Sequence, residues 1–115
     1  MNRGDFLKKF MILYMASVSA EAQMNVNPEE MKKGMEPWMA WYRKCGKAIV
    51  DQGAPLGKGE CLDKKGSAKG QTQVTGYTIV QAKDMGVAKA MVTDHPHLML
   101  PKARIEVFEI MTMTT

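Results

Sequence analysis

The stretch "FMILYMA", Phe10 to Ala16, is of strand length and apolar on both of its faces: Phe10, Ile12 and Tyr14 alternate with Met11, Leu13 and Met15. A strand of this kind must be covered twice, once from each side of its sheet. The same residues imitate a secretory leader, because a basic start precedes them and Val18-Ser19-Ala20 follows as a small-residue cleavage site. Against a leader stand the shortness of the apolar run, Asp5 within the basic start, and the loss of a core strand if the chain were cut after Ala20. The reading is therefore a cytoplasmic chain, with residues 1–9 as a flexible N-terminal extension and a run too short to span a bilayer.

Downstream, Asn27 reads as a helix cap, Pro28 as the first helical residue, and Glu29 and Glu30 as first-turn acids. Pro37 is expected to break or kink this helix, which restarts and runs to Gln52 before ending at Gly53. Met31, Met35, Trp38, Tyr42, Cys45 and Ile49 recur at helical spacing as a core stripe. The stretch "GAPLGKGECLDKKGSAKGQTQ" holds five glycines and reads as a short strand around Ala54 to Leu56, then a hairpin or loop with an exposed tip. Neither Gly57-Lys58-Gly59 nor "GSAKG" completes a nucleotide-binding fingerprint. "VTGYTIVQA", Val74 to Ala82, is a strand; Asp84 caps a second helix through about Thr93, with Val87, Ala88, Met91 and Val92 on its core side. "RIEVFEIM", Arg104 to Met111, is the last strand, again apolar on both faces.

The order strand, helix, strand, strand, helix, strand implies an α+β fold: a ferredoxin-like split β-α-β sandwich with both helices on one face. The second face calls for a partner sheet, hence a homodimer whose sheets pack face to face. The 115 residues make one domain. The net charge of +4 and pI near 9.1 come from scattered lysine doublets without interleaved aromatics, which argues against nucleic acid as a partner. Cys45 and Cys61 lack zinc-site spacing; a single disulfide between them stays open.

Most of the chain resembles the YCII-related family, which overlaps with the DGPF-domain proteins. The resemblance runs through "FMILYMA", "NPEEM", "WMAW", "CGKAIVDQGAPLG", "VTGYTIVQAKD", "DHPHL" and "IEVFEIM". It implies a ferredoxin-like subunit and a dimeric α+β barrel. The Asp-Gly-Pro-Phe segment of one branch is missing, its place taken by "KKGSAKGQTQVTGY", so no role of that segment carries over. The His-Asp pair on which the family has been proposed to be enzymatic is matched to no positions here. Some DGPF relatives accompany alternative sigma factors, which implies a regulatory setting.

The chain's two histidines, His95 and His97, flank Pro96. With Asp94 they could supply three metal ligands, but no further Cys or His motif supports a metal, and neither metal nor cofactor is expected. As catalysts, His97 would be acid or base, helped by His95 or by a carboxylate such as Asp94 or Glu106. Tyr14, Trp38, Trp41, Tyr77 and Met99 would line a half-apolar pocket in the barrel interior for a small organic ligand, with Tyr14 and Tyr77 as hydrogen-bond donors. Proton transfer, or lactone or enol chemistry, would suit such a pocket. The alternatives are a non-enzymatic ligand sensor or dimerising accessory protein, and a purely structural turn in which Pro96 stops the helix and His97 bonds a loop carbonyl.

Overall fold

The computed structural model describes residues 7–69 and 73–113. Strand β1 (Lys8–Met15) leads through the short helix α1 (Ala20–Met24) into the long helix α2 (Pro28–Cys45). Strand β2 (Ile49–Pro55) and a hairpin of β3 (Glu60–Asp63) and β4 (Gly66–Lys69) follow; β5 (Val74–Ala82), α3 (Met85–Val92) and β6 (Arg104–Ile110) complete the chain. The main sheet has the order β2-β5-β1-β6, every neighbouring pair antiparallel, while β3 and β4 form a separate two-stranded sheet. The fold is thus α+β, with one antiparallel four-stranded sheet and three helices among the described residues.

Alternation along the two central strands builds the core. Phe10, Ile12 and Tyr14 of β1 sit opposite Val80, Thr78 and Gly76 of β5, all buried on one face. Helix α2 adds Trp41, Trp38 and Tyr42 to that face, α3 adds Ala88 and Val92, and β6 adds Ile105 and Val107. Fully burying a side chain such as Phe10, Ile12 or Val80 is worth about 1.5–3 kcal/mol. The other face carries two cross-strand rows. Phe108, Met11 and Ile79 form one; Glu106, Leu13 and Tyr77 form the other. Both long helices pack on the first face, and Phe108 on the second is 50% exposed.

Three expectations need correcting. The N-terminal extension does not reach residue 9, because β1 begins at Lys8; residues 1–6 lie outside the described residues. Pro37 neither breaks nor restarts α2, which is continuous across it. Nor does α2 run to Gln52: it ends at Cys45, capped by Gly46 at φ 55°, and Ile49–Pro55 is an edge strand. Gly46 leaves the helix at a positive φ of 55° that favours glycine, and the β-branched pair Ile49-Val50 then favours extended chain. The caps Asn27 and Asp84 are as expected, their side chains accepting from the backbone N–H of Glu30 and Val87.

The strand β1 pairs on both of its edges, so the leader-like stretch is the middle of the sheet. Among the described residues no helix is long and apolar enough to cross a membrane. Cys45 is half-buried and Cys61 exposed, both as free thiols.

Candidate functional site

A cleft of about 660 Å³ opens at one end of the sheet. Its walls come from α1 and α2, the last residues of β2, the first of β5, Tyr14 near the end of β1, and the 3₁₀ turn Pro96–Met99. The turn exists because Pro96 stands at its first position, and the His95 side chain caps it: Nδ1 accepts from the His97 backbone N–H at 2.9 Å. Both imidazoles are buried.

The two backbone contacts fix the protons on both rings. Since Nδ1 of His95 accepts an N–H, the neutral ring carries its hydrogen on Nε2, a buried atom with no hydrogen-bond partner among the described residues. His97 Nε2 lies 2.9 Å from the Met15 carbonyl oxygen, which can only accept, so Nε2–H donates and the neutral ring keeps its lone pair on Nδ1. Burial drives the His95 pKa down to about 3, the neighbouring His97 reinforces this, and Asp94 opposes it. His95 is therefore neutral at physiological pH, enclosed by Trp41 at 4.4 Å, Trp38 at 4.5 Å and Tyr14 at 4.8 Å between ring centroids.

Tyr14 is held by a directed chain of hydrogen bonds. Thr78 donates to the Gln52 carbonyl at 3.0 Å, so the Tyr14 hydroxyl, 2.7 Å from Thr78 Oγ1, is the donor in that pair. Tyr42 donates to the same Gln52 carbonyl at 3.2 Å. Burial pushes both phenols above the ordinary tyrosine pKa, Tyr14 most strongly, so neither is a ready source of protons.

Of the residues singled out from sequence, Tyr14, Trp38, His97 and Met99 line the cleft, and Tyr77 borders it from β5 although it belongs to the row on the opposite sheet face. His95 and Trp41 stand behind it in the core, Trp41 donating from Nε1 to the Met91 carbonyl. Asp94 joins neither imidazole through a hydrogen bond. It pairs instead with Lys44 at 2.7 Å on the surface, and that contact lowers its carboxyl pKa. Tyr14 has its only proton committed to Thr78, and Glu106 projects from the opposite sheet face, beside Leu13. The histidines pack on the helix-covered side of the sheet with Tyr14, whereas the expected pocket lay in a barrel interior. Among the described residues, no three His, Cys, Asp or Glu side chains converge as metal ligands.

Sequence reasoning missed Thr78, Gln52 and Glu30. Thr78 was visible only as a polar residue on the inward phase of an otherwise apolar strand; Gln52 acts through its backbone, which leaves no side-chain signal. Glu30, read as a first-turn acid, also lines the cleft. No protein-family model matches the chain, and no curated protein matches it.

Proposed function

We propose that this chain is a homodimeric small-molecule-binding protein of the YCII-related type, holding a small, largely apolar organic ligand in the cleft beside His97. The cleft carries this reading. Its volume falls in the usual range for ligand sites, and aromatic and methionine side chains surround a few polar groups. Strand order β2-β5-β1-β6 with both long helices on one face supports a ferredoxin-like subunit. The half-exposed Phe108 and its row on the other face support a sheet-to-sheet dimer. A cytoplasmic setting fits the same reading, since cleavage after Ala20 would remove β1.

Proton transfer is the reaction this cleft is equipped for, with His97 Nδ1 as the base. The alternative, a sensor that binds without turnover, is favoured by one observation: Asp94 is engaged by Lys44, leaving His97 without a carboxylate partner among the described residues. The two share the cleft and part at catalysis.

Gly34 supplies the test. It lines the cleft from within α2, and a Cβ there would meet nothing within 4 Å, so Gly34→Trp adds bulk at the cleft wall without a clash at its first atom. The fluorescent probe N-phenyl-naphthylamine should bind saturably, one per subunit, and Gly34→Trp should abolish this with circular dichroism unchanged. Unsaturable binding, or binding indifferent to the substitution in the folded protein, would overturn the cleft as a ligand site.

A further inference from the structure

We infer that the cleft selects lipophilic organic cations, amines or quaternary ammonium compounds bearing one or two rings, over neutral or anionic molecules of the same shape. The inference rests on the reading of the cleft as a ligand site and names its ligand class.

Charge is the first observation. The chain carries 16 lysines and arginines against 12 acidic residues, yet among the described residues no lysine or arginine lines the cleft, and Glu30 is the one carboxylate that does. An anion entering would give up its hydration with no fixed cation to replace it. The positive end of α2 does not supply one: the Asn27 side chain occupies the Glu30 N–H at 2.8 Å, and Glu29 and Glu30 already stand in the first turn. His97 has its Nε2–H committed to the Met15 carbonyl, so that N–H is not free to receive an anion.

The walls are the second observation. Trp38 packs edge-on against Tyr14 at 4.8 Å and lies 6.4 Å from Tyr42, so three π-systems border one cavity. Such faces attract a desolvated cation through their quadrupoles. Five methionines complete the lining, Met24, Met31, Met35, Met39 and Met99, polarisable side chains that adapt to varied hydrocarbon shapes.

Three probes of one shape and different charge test this: naphthylmethyl-trimethylammonium, its carbon isostere neopentylnaphthalene, and naphthylmethanesulfonate, each titrated to displace N-phenyl-naphthylamine. The cation should bind about ten-fold tighter than the isostere, with the sulfonate weakest. Glu30→Gln should weaken the cation several-fold while leaving the isostere unchanged, the remaining preference being that of the aromatic walls. Equal affinities, a preference for the sulfonate, or a cation affinity indifferent to Glu30→Gln overturns this inference while leaving the cleft a ligand site. If N-phenyl-naphthylamine itself does not bind, both readings fall.

Discussion

The phenol of Tyr14 is held by a chain that runs in one direction, from Tyr14 to Thr78 to the Gln52 carbonyl, and this polarity makes its links unequal. Thr78→Val removes the acceptor and strands a buried tyrosine hydroxyl, at a cost of about 1–3 kcal/mol. Tyr14→Phe removes the donor, leaves Thr78 bonded to Gln52, and should cost about 0.5–1.5 kcal/mol. Urea titrations of both variants and of the double mutant should give that order, with the double mutant less destabilised than the sum. His95 makes stability depend on pH in a defined sense. Its folded pKa of about 3 lies below the ordinary value near 6.5, so the unfolded chain takes up a proton that the folded chain refuses. Stability should fall as pH drops from about 6.5 towards 3, by up to roughly 1.4 kcal/mol per pH unit. The lowered Asp94 carboxyl destabilises in the same direction but mainly below about pH 4, which separates the two groups. His95→Asn retains an acceptor for the His97 N–H without a titrating ring; its urea midpoint should be flat between pH 6.5 and 4.5, where that of the parent declines. Equal slopes in that window would remove His95 as the cause.

Helix α2 is continuous across Pro37, although proline lacks the N–H that would bond to the Lys33 carbonyl and crowds the preceding turn. Both residues lie on the exposed side, where water can satisfy that carbonyl, and the helix is held by Trp38, Trp41 and Tyr42 on the other. Pro37→Ala should therefore stabilise the protein, by about 1–3 kcal/mol in urea denaturation. At Gly53 the sign reverses. Its φ of 78° and the Tyr77 carbonyl, which an added Cβ would overlap, leave no room for a side chain. Gly53→Ala should push β2 off β5 and deform the cleft wall that Gln52 to Pro55 build, seen as faster amide exchange along β2. These elements also mark what the sequence discloses. Val74–Ala82 and Arg104–Ile110 were legible because their periods and flanking turns agree, whereas the end of α2 was not, because Ile49 continues the helical stripe past Gly46. The histidine pair was legible as chemistry on one turn. The cleft was not, because Glu30, Gln52, Thr75 and His97 come from four elements that only the strand order brings together.

At the scale of the molecule, the sheet has one face under two helices and another on which Phe108, Met11 and Ile79 run as one row beside Leu13 and Tyr77. Asp51 stands opposite Ile79 on the edge strand β2, and Glu106 opposite Leu13 on β6, so carboxylates flank an apolar centre. Apolar middle and charged rim is the usual anatomy of a protein interface, and a second copy of the same face is the simplest cover for it. A two-fold pairing would set the two apolar rows against each other and leave the cleft, at the end of the sheet on the helix side, to each subunit separately. Phe108→Asp places a charge in the middle of that contact without touching the helix-side core, because Phe108 is half-exposed in the single chain. Light scattering behind size exclusion should give a dimer for the parent and a folded monomer for the variant, each still binding one N-phenyl-naphthylamine per subunit. A parent that stays monomeric rules out the sheet-to-sheet assembly. A Phe108→Asp monomer that loses the probe would instead mean that the partner shapes the cleft, and the site would then belong to the dimer.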